Sequence, residues 1–298
     1  DGTFDEDDAL EFYGVAHHQT SPMPDADTQT PLANTNIYWL TWGRELGLRM
    51  AAEHGGIRET DPSRYIAPTW YETTVHEEQN AMFDRLGGAG VPVTDYWFWD
   101  TFQSGDRKSY SVALPGVAQD APSPTTVRVM MYGRTNAGHA LDVSLMDGAL
   151  AAHARWTGMT QYCITVSSVS ATTSLRDNTT IALTMDDGPN GGDGDFIRLN
   201  WLEIDYPRTY RAEHDQLLFS GTRSARAGVY QFTLTGFTQS SVRVYKIGVS
   251  ELINLAVTPE QDHRAYRVTF QTTILDPRTQ FLALTSDQIL SPASIRYV

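Results

Sequence analysis

The chain has 298 residues, of which 41% are hydrophobic and 19% charged; this composition is typical of folded proteins, and the length suits two or three domains. Its net charge of −14 argues against binding to nucleic acid or to anionic lipid, because phosphate groups are repelled. No run of about 18 apolar residues is present, so no transmembrane segment is predicted.

The first predicted segment, residues 1–106, contains five of the seven tryptophans and begins with an acidic run. The chain starts with Asp rather than Met, which predicts a processed chain or an excised fragment. Residues 1–8 read DGTFDEDD. The repulsion between their carboxylates is relieved either by solvent or by a bound cation that the carboxylate oxygens coordinate. The candidate ligands of this weaker Ca²⁺ site are Asp1, Asp5, Asp7 and Asp8.

Residues 74–86 fit either a helix or a strand, since apolar residues lie in rough helical register while the start of the stretch is β-branched. The stretch includes HEEQN at residues 76–80. This is a near miss to the zinc-binding pattern HExxH, because Asn80 replaces the second histidine.

Residues 96–100 read YWFWD, so in a strand Trp97 and Trp99 lie on one face. If exposed, both rings are candidate ligand- or partner-binding residues, because aromatic faces stack on sugar rings. The alternative, which the pattern favours, is burial of both strand faces between neighbouring domains.

The second predicted segment, residues 107–208, shows the clearest alternation of apolar and polar residues, for example at 125–132, 139–146 and 160–166. Such alternation predicts half-buried strands of a β-sandwich. The last strand is predicted to stop at Pro207, which lacks a backbone donor. Cys163 lies in the middle of a predicted strand and is interpreted as a small buried hydrophobic residue rather than a nucleophile.

Residues 186–195 read DDGPNGGDGD between two predicted strands. Glycines permit tight curvature, and hard oxygen ligands suit Ca²⁺, so this loop is the better candidate metal site. The alternative is a long hairpin loop in which Asp and Gly serve turn geometry. The candidate ligands are Asp186, Asp187, Asn190, Asp193 and Asp195.

The third predicted segment, residues 209–298, is another series of short strands, including residues 265–271, and is predicted to be a small Ig-like domain. Together the segments predict an all-β protein with little helix, built from two or three β-sandwiches of jelly-roll and Ig-like type. Residues 1–106 are expected to be an aromatic-rich β region that packs on its neighbour.

Several stretches resemble, in the same order, the β-rich region that precedes the peptidase domain in gingipain-like cysteine peptidases, a family that includes proteins linked to type IX secretion. They are residues 1–14 (DGTFDEDDALEFYG), 35–50 (TNIYWLTWGRELGLRM), 95–100 (DYWFWD), 199–208 (LNWLEIDYPR) and 281–295 (FLALTSDQILSPASI). Residues 107–208 also resemble jelly-roll, carbohydrate-binding-like domains, whose last strand carries a pattern like NWLE at residues 200–203.

The resemblance implies a scaffold or partner-binding region rather than a catalytic one. In that family the catalytic Cys and His lie in a downstream caspase-like domain, and Cys163 does not match their context. No catalytic residue is therefore carried over to this chain.

Three functions follow as hypotheses. The first is a non-catalytic, extracytoplasmic protein that acts as a scaffold or accessory subunit of a larger cell-envelope assembly. The second is a carbohydrate-binding module with a Ca²⁺-stabilised loop, Ca²⁺ being the one cofactor expected. The third is a fragment of a gingipain-like peptidase that lacks its catalytic domain.

Overall fold

A computed structural model describes residues 9–15, 36–41, 43, 47, 49–84, 96–145, 151–168, 175–186, 195–222, 226–261 and 263–296. In these ranges the secondary structure is mostly β-strand, and the helical elements are two 3₁₀ turns, Pro62–Arg64 and Ser286–Gln288. The predicted all-β fold with little helix is confirmed.

The described strands follow one another closely along the chain. They are β1 (Ala51–His54), β2 (Trp70–Glu78), β3 (Met82–Phe83), β4 (Trp97–Phe98), β5 (Asp100–Gln103), β6 (Arg107–Ala113), β7 (Thr125–Gly133), β8 (Gly138–Leu145), β9 (Ala151–Thr157), β10 (Gln161–Ser168), β11 (Asn178–Met185), β12 (Phe196–Thr209), β13 (Gln216–Ser220), β14 (Gly228–Phe237), β15 (Val242–Lys246), β16 (Ser250–Ile253), β17 (Ala256–Pro259), β18 (Tyr266–Ile274) and β19 (Gln280–Thr285). The strands predicted from alternation in residues 125–166 correspond to β7, β8 and β10. Between residues 74 and 84 the chain forms β2 and β3, so the helix alternative is wrong there.

Two sheets form the first sandwich around one apolar core. One sheet has the strand order β10–β7–β12–β2, with β5 also paired to β12, and the other has the order β6–β11–β8–β9. Alternate residues of β7, namely Val127, Val129 and Met131, are buried in the core. Burial of each such side chain stabilises the fold by roughly 1.5–3 kcal/mol. Arg128, between them, lies on the opposite side of the sheet, which we call the outer face.

Pro207 does not end β12, contrary to the prediction, because the strand continues to Thr209. Pro207 is paired with Glu72 of β2, while its carbonyl accepts a hydrogen bond from the N–H of Ala118 at 2.9 Å. The N–H and C=O positions of one strand residue point to the same side, so the proline nitrogen faces away from β2. The ladder to β2 therefore loses no donor at this position.

Two further sheets form the second sandwich. One has the order β1–β16–β15–β19–β13 and the other the order β14–β18–β17. Its core is rich in aromatic rings, including Phe219, Phe232, Phe270 and Phe281. The rings of Phe219 and Phe281 are stacked with centroids 5.2 Å apart, which is a favourable aromatic geometry.

Strands from residues 1–106 join both sandwiches. Strand β1 pairs in parallel with β16, and β2 pairs antiparallel with β12. At the start of β2, Tyr71 is buried in the second core, with its ring centroid 5.0 Å from that of Tyr210. The described part of this segment is thus hydrogen-bonded to both neighbours, and the three-segment boundaries remain a prediction.

Candidate functional site

Two stretches without regular secondary structure, residues 9–15 and 36–40, expose apolar side chains to solvent. Trp39 is 75% exposed and Ile37 is 74% exposed. Contiguous exposed apolar patches on soluble proteins mark interaction sites. We call this patch the N-terminal apolar surface; its members are Leu10, Phe12, Tyr13, Val15, Ile37, Tyr38, Trp39 and Leu40.

Tyr38 fastens the two stretches of this surface to each other. Its hydroxyl donates a hydrogen bond to the carbonyl of Val15 at 2.9 Å and accepts one from the Val15 N–H at 2.5 Å. Asn36 donates to the same carbonyl at 2.9 Å, and the Phe12 ring lies 5.0 Å from the Tyr38 ring. The two stretches therefore form one unit that presents Ile37, Trp39 and their neighbours outward.

Glu11 anchors the N-terminal apolar surface to the second sandwich. Its carboxylate accepts a hydrogen bond from Arg243 at 2.6 Å and one from the Tyr245 hydroxyl at 3.1 Å. The hydrogen bond from Arg243 lowers the pKa of Glu11, against the opposing effect of burial. Arg243 is also 3.0 Å from Glu251, so the anchor lies on the surface of β15 and β16.

The two predicted ligand-binding tryptophans have different environments. Trp99 packs on the first core, with its ring centroid 4.9 Å from that of Tyr110 in an edge-to-face geometry. Trp97 is half-buried and lies 5.3 Å from Phe83, which is 61% exposed. Trp99 thus contributes to packing, whereas Trp97 lies beside an exposed ring.

The hairpin formed by β3 and β4 is held against the outer face of the first sandwich. Asp84 follows β3, and its carboxylate is 2.9 Å from Arg134 and 3.2 Å from Arg198. Arg198 also donates to the hydroxyl of Thr101. Both arginines lie over the Phe196 ring. Because Arg198 belongs to β12 and Arg134 follows β7, the Asp84 carboxylate links the β3–β4 pair to both strands.

Asp186 and Asp195, at the two ends of the predicted Ca²⁺ loop, already have protein partners. Asp195 accepts a hydrogen bond from Thr135 at 2.5 Å and is 3.0 Å from the ring nitrogen of buried His139. Asp186 is 3.9 Å from His153. Of the other predicted ligands, Asp187, Asn190, Asp193, Asp1, Asp5, Asp7 and Asp8 lie outside the described residues. The loop site therefore stays a prediction.

A group of charged side chains on the outer face was not anticipated from the sequence. Glu203, which is 2% exposed, accepts one hydrogen bond from Arg128 Nε at 2.8 Å and lies 3.0 Å from His76. Arg128 also binds both carboxylate oxygens of Asp205, at 2.8 and 2.7 Å. His76 is 3.3 Å from Glu78. We call these five residues the outer-face charge cluster.

His76 of the near-miss HExxH pattern is thus part of a sheet-based ion network. Burial by itself lowers the pKa of His76, but hydrogen bonds to Glu203 and Glu78 outweigh that effect and raise it to about 9. The histidine is therefore a cation at neutral pH, with its charge balanced by its neighbours. In the described part of the chain, no group of three or more His, Cys, Asp or Glu residues is arranged to hold a metal ion.

Cys163 lies on β10 and is partly buried. Burial raises the pKa of its thiol, although a hydrogen-bond contact with Thr165 opposes this effect. A raised pKa disfavours the reactive thiolate. The interpretation of Cys163 as a small buried hydrophobic residue is met only in part, because the side chain is partly exposed and its neighbour Ile164, not Cys163, lies in the core.

Comparisons with known proteins identify similar folds but no family. No protein-family profile matches the sequence, and no curated protein matches it. A crystal structure of dimeric latent PorU from Porphyromonas gingivalis matches 82% of this chain with a TM-score of 0.58 and 13% sequence identity. The chain spans 22% of the length of that PorU chain. The fold implied by the resemblance to gingipain-like proteins is confirmed at this level.

Two carbohydrate-binding modules are more distantly similar. The CBM36-1 domain of a xylanase from the hindgut metagenome of Trinervitermes trinervoides matches 45% of this chain and 95% of its own, with 12% identity and a TM-score of 0.28. A CBM36 module in complex with calcium and xylotriose matches 44% of this chain and 98% of its own, with 12% identity and a TM-score of 0.29.

None of the helical elements in the described ranges has the length and hydropathy of a membrane-spanning helix.

Proposed function

We propose that this chain is a non-catalytic, extracytoplasmic part of a larger cell-envelope assembly and that it acts through contacts with other proteins. The N-terminal apolar surface is the observation that carries this proposal. Tyr38 joins its two stretches by hydrogen bonds, and the Glu11–Arg243 ion pair anchors them to the second sandwich, so a partner that covers this surface meets a backbone that is already tied down. Large aromatic side chains on a fixed backbone are typical centres of protein interfaces.

The similarity to part of PorU supports the proposal at the level of architecture. That match extends over 82% of this chain but only 22% of the PorU chain, so a similar two-sandwich fold occurs inside a larger protein. We expect this chain to have no peptidase activity of its own and Cys163→Ala to alter stability rather than turnover.

Removal of exposed apolar side chains tests the proposal. The purified chain is immobilised and incubated with envelope extract, and bound proteins are identified by mass spectrometry after cross-linking. We expect a defined partner to be retained, and the double variant Ile37→Ser/Trp39→Ser to lose at least about tenfold in apparent affinity, because truncation of a central interface Trp costs roughly 2 kcal/mol or more.

Leu275→Ser is the matched control, because Leu275 is 80% exposed and lies outside the N-terminal apolar surface, between β18 and β19. It should retain the partner as the unmodified chain does. Equal retention by all three proteins, or retention of nothing above the background of a blank matrix, would contradict the proposal.

Carbohydrate binding is a second candidate function, favoured by the rings next to Trp97. Phe83 is 61% exposed and Tyr96 is 39% exposed, and the Phe83 ring lies 6.2 Å from the Tyr96 ring. A glycan array with and without a chelator tests this function. Binding that Trp97→Ala abolishes would support it, whereas an array without signal in both conditions would exclude it.

A further inference from the structure

Strand β10 is an open edge of the first sandwich. In the described ranges it pairs on one side, with β7, and lies at the end of the sheet order β10–β7–β12–β2. Its eight residues read QYCITVSS and include no charged residue, glycine or proline. Proteins usually protect such an edge with charge, proline or short length, because its unpaired backbone groups can pair with another strand. Strand β10 therefore has the properties of a strand that accepts a partner.

The other edge strands of the two sandwiches carry such protection. In the first sandwich the three remaining edge strands bear charged side chains, namely Glu72, Glu77 and Glu78 on β2, Arg107 and Lys108 on β6, and His153 and Arg155 on β9. In the second, β1 and β13 have only four and five residues, β17 ends at Pro259, and Ile66 forms a bridge with β14. The long, uncharged edge of β10 is thus the exception among the described edge strands of these sheets.

The direction of the backbone groups on β10 follows from its ladder with β7. The Gly133 N–H donates to the Thr160 carbonyl at 3.0 Å, one step before the first residue pair of the ladder, so Thr160 turns its carbonyl towards β7. Residues of an antiparallel strand face their neighbour at alternate positions. The N–H and C=O groups of Cys163, Thr165 and Ser167 therefore point away from β7, to the open edge.

We propose that two copies of this chain associate by antiparallel pairing of β10 about a two-fold axis at Thr165. Thr165 then lies opposite Thr165 of the second copy, and Cys163 lies opposite Ser167 of the second copy. Each opposing pair exchanges two N–H···O=C bonds, because these are the residues whose backbone groups face the open edge. The β10–β7–β12–β2 sheets of both copies become one continuous sheet, and the two-fold contact closes at the dimer because the same strand is used on both sides.

The side chains of β10 favour a second copy of the chain over an unrelated strand. Their types are symmetric about Thr165, since Ile164 and Val166 are both β-branched and apolar, while Cys163 and Ser167 are both small. In the proposed register Ile164 lies beside Val166 of the second copy on the core side, where both side chains already pack. Such cross-strand pairs are favourable. The net charge of −14 does not set like charges against each other at this contact, because β10 carries none, and the contact uses no residue of the N-terminal apolar surface.

The oligomeric state in solution tests the pairing. Sedimentation equilibrium of the purified chain should show a monomer–dimer equilibrium at micromolar concentrations. Thr165→Glu should weaken the dimer at least about tenfold, because it sets two carboxylates opposite each other. In a single copy the new carboxylate lies beside Arg128, its neighbour in the β7 register, so the fold should be retained. Ser111→Glu is the matched control, since it adds the same charge at an exposed position of another edge strand, β6, and should leave the dimer unchanged.

A disulfide tests the register independently of Thr165→Glu. Ser167→Cys places a thiol opposite Cys163 of the second copy, at a Cα–Cα spacing of about 5.5 Å that a disulfide can span. Within one chain the two cysteines are roughly 13 Å apart along β10, which is too far for a bond. Mild oxidation should therefore give a reducible covalent dimer with Ser167→Cys, but not with Ser111→Cys or with the unmodified chain.

Three results would overturn the proposal. They are a chain that is monomeric at every concentration, a dimer that Thr165→Glu leaves intact, and equal cross-linking by Ser167→Cys and Ser111→Cys. If Thr165→Glu does not fold, the yield of the covalent Ser167→Cys dimer against that of the Ser111→Cys control decides the question.

Discussion

At the scale of single residues, Arg128 is bound on both sides of its guanidinium group. Its Nε donates to Glu203, and its two terminal nitrogens donate to the two carboxylate oxygens of Asp205. The side chains of Glu203 and Asp205 are only 3% and 12% exposed. Removal of the guanidinium would leave two carboxylates in a poorly solvated place, which is more costly than the loss of an exposed ion pair.

We therefore predict that Arg128→Met lowers the free energy of unfolding by about 3 kcal/mol, as measured by urea denaturation at pH 7. Arg128→Lys should lose less, because it keeps the charge while it cannot bind Asp205 with two nitrogens. If Arg128→Met changed the unfolding free energy by less than about 0.5 kcal/mol, the range of ordinary surface substitutions, the two carboxylates would be hydrated well enough without the guanidinium group.

Cys163 provides a second prediction at the residue scale. Since its thiol is partly buried and its pKa is raised, we expect it to react with a thiol-specific reagent at pH 8 more slowly in the folded chain than in urea. Cys163→Ala should cost about 1 kcal/mol of unfolding free energy, the usual effect of a modest truncation. Equal reaction rates in the folded and unfolded chain would contradict this description of the site.

At the scale of elements, β1 is attached to the second sandwich by its ladder with β16 and by the partly buried carboxylate of Glu53. Glu53 accepts hydrogen bonds from Thr272 at 2.5 Å and from Ser250 at 2.8 Å, and lies 3.3 Å from Lys246. Burial alone would raise the pKa of Glu53, but these three partners lower it below the ordinary value of 4.5. The carboxylate form is thus the form that holds β1.

A group whose pKa is lower in the folded chain stabilises it above its unfolded pKa, and this contribution is lost as the pH falls through the folded pKa. Glu53→Gln should therefore lower unfolding free energy by about 1 kcal/mol at pH 7, with a difference that shrinks towards about pH 3. Urea denaturation at both pH values measures this change. A difference that stays constant across the range would mean that the charge of Glu53 does not contribute.

The sequence predicted the strands better than the site, for a physical reason. Alternation is local, so β7, β8 and β10 could be recognised from neighbouring residues. The prediction at Pro207 was wrong because the cost of a missing donor depends on which side of the strand the nitrogen faces. His76 and Glu203 are 127 positions apart, and only the register of β2 with β12 brings them together. The one sequence signal for the outer-face charge cluster was the pair of acidic residues at alternate positions, Glu203 and Asp205, in an otherwise apolar strand.

At the scale of the whole molecule, Tyr71 belongs to one sandwich by its backbone and to the other by its side chain. It lies in β2, paired with β12, while its ring is 2% exposed in the second core and its hydroxyl donates to the carbonyl of Leu218 at 3.0 Å. This arrangement couples the stability of the two sandwiches.

Tyr71→Ala is expected to lower the unfolding free energy by about 3–5 kcal/mol, the usual cost of removing a large buried aromatic side chain, and to separate one thermal transition into two. Differential scanning calorimetry measures this effect. Tyr71→Phe is the control, since it loses only the hydrogen bond, worth about 1 kcal/mol, and should keep a single transition. Two transitions already present in the unmodified chain would show that Tyr71 does not couple the sandwiches.

The parallel pairing of β1 with β16 also constrains the time course of folding. Glu53 and Ser250 are 197 positions apart, so β1 is synthesised long before its partner strand exists. Until then its backbone groups have no ladder to join, and such non-local pairings fold slowly. Strand β1 can therefore join the edge of its sheet only after β16 has been synthesised, so this side of the second sandwich is completed late in folding.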